Sequence, residues 1–386
     1  MSIFSHRPES LDSEDLRLFQ DSTRKFLATH ATKPQIEGWK RDKVISRAFW
    51  SSAAEAGLLG LSIPEAYGGS GADFRFEAVW VEELAGIGLE MFGGPMHSAV
   101  VAPYIVAFGD EVQKQRWLPK MASGELIGAL AMSEPAAGSD LRGIRTTARR
   151  DGDGYRLSGQ KTYITNGQTA NLIAVVAKVD DPGARATTSI FFLETDGLEG
   201  FSRGRNLEKV GMEAADTSEL FFDEIRVPAA NLLGGREGVG LHQLMQKLPQ
   251  ERLIIAVQGI AAIERALTLT VEHVKHRHAF GKPLIDYQNT QFKLSECKTE
   301  ANIARVFVDH CIERHVKGEL DSVTASMAKY WVSDLQCRII DDCLQLHGGA
   351  GYMLEYPIAQ MYRDARAQRI YGGSNEIMKV LIARSL

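Results

Sequence analysis

The sequence predicts an α+β protein in which helices come first, a block of strands follows and helices return. Three observations carry this. Apolar residues recur at helical spacing from Ser13 to about Lys120, the period changes near Ala129 into short runs rich in Val, Ile, Phe and Thr, and long helical runs occupy the chain from Gly238 to its end. The 386 residues suit two or three domains sharing a large interior.

In the first block Leu16, Phe19, Phe26 and Leu27 share one helical face, and Val79, Leu84 and Ile87 recur further on. The run from Pro64 to Gly71 and the pair Gly93-Gly94 before Pro95 separate helices. In the second block strands are expected at Tyr155 to Leu157, Lys161 to Thr165, Leu172 to Val179, Ser189 to Glu194 and Glu219 to Phe222. Turn chemistry lies between them at Asp151-Gly152-Asp153-Gly154 and Asp181-Pro182-Gly183, which predicts an antiparallel sheet or barrel of about 100 residues. In the third block Leu253, Val257, Ile260, Ile263, Leu267, Val271 and Val274 trace the buried face of a bundle helix. Pro249 fits either the first turn of that helix or a kink in one begun near Leu241.

Composition narrows the function classes. Hydrophobic residues are 44% and charged residues 24%, the balance of a globular enzyme. A formal charge of -5 from 44 basic and 49 acidic residues lacks the basic surplus that nucleic acid binding requires, so no nucleic acid partner is expected. No membrane span is expected, since no stretch approaches the roughly 20 apolar residues such a span needs. The start has no apolar signal core and soon reaches Glu9, Asp12, Glu14 and Asp15, which predicts an uncleaved cytoplasmic chain. Cys297, Cys311, Cys337 and Cys343 form no CxxC pair and read as buried reduced thiols. His273, His276 and His278 do not share a helical face or a carboxylate at ligand spacing, so no metal site is expected. The glycines at 235 to 240 follow no Rossmann strand and make a weak dinucleotide signal, which is set aside.

Five segments are more specific: Ala131 to Asp140, Gly159 to Gly167, Arg277 to Gly281, Gln345 to Gly349, and Tyr371 to Glu376. In their order and spacing they resemble the acyl-CoA dehydrogenase family across nearly the whole chain. Leu248-Pro249-Gln250-Glu251-Arg252-Leu253 and the ending Tyr371 to Arg384 are most similar to its long-chain branch. The resemblance implies an α-helical domain over 1–126, a middle β-barrel over 127–234 and a C-terminal four-helix bundle over 235–386. It also implies FAD as cofactor, an acyl-CoA substrate and an electron-transfer flavoprotein as acceptor. A homotetramer built as a pair of dimers is implied as well, with part of each flavin site coming from the neighbouring subunit.

Removing two hydrogens from a saturated acyl chain needs a base for the α proton and an acceptor for the hydride at the β carbon. No side chain accepts hydride, whereas a flavin does at N5. In most of the family the base directly follows the tyrosine of the C-terminal loop, but here Gly372 follows Tyr371. The long-chain branch and the isovaleryl enzymes instead place a Glu on the facing helix, and Glu251 matches that position. By itself Glu251 reads as a first-turn glutamate at a helix dipole; with Gly372 vacant, the resemblance makes it the base. Arg252 resembles the arginine beside the base that approaches substrate. The amide of Gly372 is implied to hold the thioester oxygen, a role that survives loss of the side chain. Glu376, four residues beyond, is implied to touch the flavin with Ser374 and not to abstract a proton.

The remaining assignments rest on the same resemblance. Met132, Ser133 and Gly138 belong to a loop that approaches a planar ring, and Tyr163, Ile164 and Thr165 to the strand beside N5. Ser139 is implied in contact with flavin and CoA, and Tyr371 with substrate. Arg277, Phe280 and Gln288 are implied at the flavin pyrophosphate, where a guanidinium fork suits phosphate oxygens, and Gln345, Gly348 and Gly349 on the adenine side. A medium- to long-chain or branched acyl group is implied. His242 departs from the aromatic residue of the long-chain branch, and packing around Gly93, Met96, His97 and Gly259 sets the pocket depth. The competing readings are an acyl-CoA oxidase-type flavoenzyme that uses oxygen and a non-catalytic acyl-CoA binding protein.

Overall fold

Side-chain caps fix the helices of the first block. Ser13 accepts from the amide of Leu16 at the start of α1 (Glu14–His30), and Thr32 with Gln35 forms a capping box on α2 (Lys33–Asp42). Ser46 caps α3 (Arg47–Glu55), and Asp73 caps α4 (Phe74–Ile87), which ends on Gly88 with φ 79°. A π-helical segment, Met96–Val101, runs into α5 (Ala102–Phe108), and Asp110 caps α6 (Glu111–Ala122). The sequence spacing gave no sign of that wide turn. The computed structural model describes residues 3–4, 7–180 and 187–386. The turn at Asp181-Pro182-Gly183 and part of the opening segment, Met1, Ser2, Ser5 and His6, lie outside the described residues.

The middle block is a curled sheet of seven strands: β1 (Gly128–Ala131), β2 (Thr147–Asp151), β3 (Gly154–Thr165), β4 (Leu172–Asp180), β5 (Thr187–Glu194), β6 (Phe201–Asn206) and β7 (Thr217–Pro228). Its order is β1-β4-β2-β3-β7-β6, with β5 also on β4. It is mixed rather than purely antiparallel, because β1 and β2 both run parallel to β4. The two segments expected at Tyr155 and Lys161 are one long strand, β3, with register shifts between Leu157 and Gly159 and between Lys161 and Ile164.

The last block holds α7 (Gly240–His276), a short hairpin of β8 (His278–Ala279) and β9 (Lys282–Pro283), then α8 (Gln288–Val316), α9 (Ser322–His347), α10 (Pro357–Ala365) and α11 (Asn375–Ala383). Pro249 lies inside α7, which settles its role as an internal residue of a helix begun at Gly240. Leu253, Val257, Ile260, Ile263, Leu267 and Val274 are buried on it, while Val271 is half-buried. By length and composition α7 is apolar enough to cross a membrane, against the expectation of no such stretch. In this fold 67% of that apolar stretch is buried inside the protein, as the central helix against which α4, α8 and α9 pack. The buried apolar residues form two clusters, and each spans segments from more than one block. Three of the cysteines are buried and Cys337 is half-buried, all of them free thiols.

Candidate active site

The face of α7 that carries Glu251 continues through Ile255 and Gln258, at i+4 and i+7. The C-terminal loop lies along it. A Cβ on Gly372 would come within 2.4 Å of Ile255 Cδ1, and Tyr371 shares a hydrogen bond with Gln258. Gly372 (φ 66°) and Gly373 (φ 91°) both adopt backbone that other residues rarely take. Lys329, fully buried on α9, anchors the loop by donating to Gly373 O at 2.7 Å and Asn375 Oδ1 at 2.9 Å. Asn375 in turn bonds Ser333 and Asp334. Lys329 escaped the sequence reading because a lone lysine at helical spacing reads as a solvated surface residue.

Glu251 is not a first-turn glutamate, since α7 begins at Gly240; the dipole explanation for it fails. The residue is half-buried, and its carboxylate receives a hydrogen bond from Tyr104 Oη at 2.7 Å. Desolvation pushes its pKa up to about 7, opposed by the Tyr104 hydroxyl and by the charges of Arg252 and Lys247. Arg252 itself is 3% exposed and points to α9, donating to Ser322 Oγ at 2.8 Å and Ser326 Oγ at 3.2 Å. It acts on Glu251 through its field, and burial lowers its own pKa.

On the sheet side, the loop after β1 is fastened to β3. Ser133 Oγ donates to Thr162 O at 2.6 Å, and Thr162 N donates to Ser133 O at 3.0 Å. Lys161, fully buried, pairs with Glu134 at 2.8 Å and also donates to Met132 O at 3.1 Å. The register shift beside this pair turns Tyr163 outward: it is 70% exposed at φ 59°, while Ile164 is buried and Thr165 is partly exposed at the strand end. Gly138 and Ser139 are exposed, with open space above Gly138, so this loop is accessible beside the bulged strand. Ser374 caps α11 by accepting from Ile377 N, and Glu376 is exposed on its first turn, where the helix amide and Ser374 lower its pKa.

The other predicted residues are elsewhere. Arg277, Phe280 and Gln288 sit at the far end of α7, and at a rise of about 1.5 Å per residue Arg277 is roughly 39 Å along the helix from Glu251. Gln345, Gly348 and Gly349 join them there, because His273 on α7 stacks on His347 of α9 at 4.3 Å between ring centroids. Here Phe280 is 98% exposed at φ 50°, and nothing lies above Gly348 or Gly349.

The positions expected to set pocket depth are tightly packed. Gly93 admits Asn166, whose Nδ2 donates to Gly93 O and Gly128 O, both at 3.0 Å. Gly259 admits the buried Oε1 atoms of Gln336 and Gln368. Met96 opens the π-helical segment, where His97 accepts from Gly128 N at 2.9 Å and bonds Met121 O at 3.1 Å; burial lowers its pKa to about 4, so it is neutral. His242 is exposed and paired with Gln246.

The chain matches the N-terminal domain of acyl-CoA dehydrogenases over residues 13–125, the middle domain over 129–225 and the C-terminal domain over 238–386. It is 46% identical over 375 residues to the mitochondrial long-chain specific acyl-CoA dehydrogenase of Sus scrofa, covering 97% of this chain and 87% of that one. The crystal structure of an acyl-CoA dehydrogenase from Geobacillus kaustophilus superposes with a TM-score of 0.93 at 47% identity, over 97% of this chain and 98% of the other. A glutaryl-CoA dehydrogenase from Mycobacterium smegmatis in complex with FADH2 gives 0.89 at 29% identity, over 98% and 95%.

Proposed function

This chain belongs to the acyl-CoA dehydrogenase family, and on that premise we propose that it introduces the trans-2 double bond into a saturated acyl-CoA thioester, with FAD as cofactor and Glu251 as base. The observation that carries the reading is the Glu251 carboxyl, raised to about 7 on the helix face along which the Gly372 loop runs. A base matched to neutral pH is what abstraction of a weakly acidic α proton requires. The vacant side chain at Gly372 leaves no competing carboxylate there.

The residues present fit a flavin. The edge made by Met132, Ser133, Gly138, Tyr163 and Thr165, with Ile164 buried behind it, offers backbone, the Ser133 oxygen as an acceptor and an exposed aromatic ring to a planar group. When bound, the flavin supplies the acceptor that takes hydride from the β carbon. Glu251 takes the α proton. The Gly372 amide, held by the Lys329 anchor, stabilises the charge that builds on the thioester oxygen. Tyr371 lines the acyl side, Ser139 meets the CoA portion, Ser374 and Glu376 border the flavin, and Arg252 supports the base electrostatically from behind.

Arg277, Phe280, Gln288, Gln345, Gly348 and Gly349 serve the flavin of a neighbouring copy, in a homotetramer built as a pair of dimers. Their distance from Glu251 and the exposure of Phe280 support this. The acyl group is medium- to long-chain or branched, and the electrons pass to an electron-transfer flavoprotein. The likeness to a long-chain specific enzyme supports the first point. Anaerobic bleaching of the flavin by a panel of acyl-CoA thioesters tests substrate and reaction together. Bleaching that persists until an electron-transfer flavoprotein is added supports the dehydrogenase, and rapid return of colour in air identifies an oxidase.

A further inference from the structure

Two neighbouring side chains of α7, Gln250 and Glu251, are both tied to one short stretch of the N-terminal helices. The cause is local. Ala102 N donates to His97 O in the wide register of the π-helical segment, and Pro103, next in sequence, has no amide to give that turn. The carbonyls of Ser98 and Ala99 accept from side chains instead: Ser62 Oγ reaches Ser98 O at 3.2 Å, and Gln250 Nε2 reaches Ala99 O at 2.7 Å. Gln250 Oε1 is held by His315 Nε2 of α8 at 3.1 Å. The residue after the proline is Tyr104, fully buried, and its hydroxyl donates to Glu251 Oε1. Among the described residues it is the one hydrogen-bond partner of that carboxylate.

We propose that Tyr104 is a positioning residue for proton abstraction: its hydroxyl holds Glu251 Oε1, with Gln250 locking the same turn of α7, so that Oε2 is presented to the acyl α carbon. The inference rests on Glu251 being the base. A hydroxyl that donates to a carboxylate favours its charged form, so Tyr104 also limits how far burial raises the base. Burial and the Glu251 charge push the tyrosine's own pKa well above its ordinary value, which keeps it a donor at every working pH.

The groups that face this carboxylate or its neighbours are few. Lys247 and Arg252 lie on α7, His315 on α8 near Lys247, Lys329 on α9 near Arg252, and Tyr371 on the loop. Burial lowers His315 to about 4 and Lys329 to about 8, so the acid limb of the pH profile reports Glu251 and Lys329 falls on the alkaline side.

The test is the pH dependence of kcat/KM for Tyr104→Phe in the flavin-loaded enzyme. The acid limb moves up by about one pH unit as the base loses its donor, and above the limb kcat stays about tenfold below the parent value because Oε2 is no longer held toward the α carbon. A merely structural loss lowers the whole profile without moving it. Gln250→Met leaves the Tyr104 donor in place and removes the lock, so it lowers kcat about tenfold with the limb fixed while KM, flavin content and the denaturation midpoint stay at the parent values, which a structural loss would change; this variant carries the test if Tyr104→Phe loses its flavin. An unmoved limb in Tyr104→Phe, or unchanged kcat in Gln250→Met, overturns the positioning role while Glu251→Gln still abolishes bleaching. Bleaching retained in Glu251→Gln overturns the base assignment itself.

Discussion

Two regions along α7, around Glu251 and around Arg277, carry residues picked out by the family resemblance, yet they are built differently. Around Glu251 remote parts of the chain come together: Tyr104 from the helical block, the Gly372 loop pinned by Lys329, and the strand edge fastened by Lys161 and Glu134. Around Arg277 the chain supplies an exposed phenylalanine, an exposed arginine and open glycines, with a stacked histidine pair behind them. A buried polar group needs its partners in the same fold. Phe280, exposed at φ 50°, has no such enclosure within the described residues. The first region is closed by contacts within the chain, and the second stands open, as its proposed completion by a neighbouring copy requires.

That contrast can be broken by substitution. The largest effect is expected from Glu251→Gln, which keeps the flavin but lowers the bleaching rate by about 10²- to 10⁴-fold, as loss of a general base does; stopped-flow absorbance under anaerobic conditions checks it. Arg277→Ala should do the reverse. It weakens flavin retention by roughly ten- to a hundredfold, the range of one charge-assisted contact, and leaves the bleaching rate of the flavin that remains near the parent value. Measuring flavin content after dilution and gel filtration separates the two, and equal loss of bleaching in both variants would erase the distinction. The smallest effect is expected from Gly372→Ala. The positive φ costs about 1 kcal/mol and the new methyl must displace Ile255 Cδ1, so the denaturation midpoint falls slightly and Ile255→Val restores part of it. No change in Gly372→Ala would mean the loop does not press on α7.

Legibility followed periodicity. The long face of α7 and the Val- and Phe-rich β4 and β5 were plain in the sequence, because burial repeats there at 3.6 or 2 residues. The strands β1, β2 and β6 were not: Gly128-Ala129-Leu130-Ala131 has no β-branched residue, and it is extended because it pairs with Leu172 to Val175 of β4. Thr147 to Asp151 and Phe201 to Asn206 are largely polar and depend equally on their neighbours. The π-helical turn stayed hidden for a similar reason, since Pro103 marks a missing amide but not which side chains will answer it.

By itself, the sequence determined the order of helices, sheet and helices, the vacancy after Tyr371 and the glutamate singled out by the motif around it, since these are properties of local spacing and residue identity. Only the tertiary structure decided what surrounds Glu251: a tyrosine from 147 residues away, an arginine turned back to α9, and burial enough to lift the carboxyl to about 7. It alone also separated the two sets of motif residues along one helix. Proton affinity and reach depend on desolvation and distance between groups remote in the chain, and neither is encoded in the spacing of neighbours.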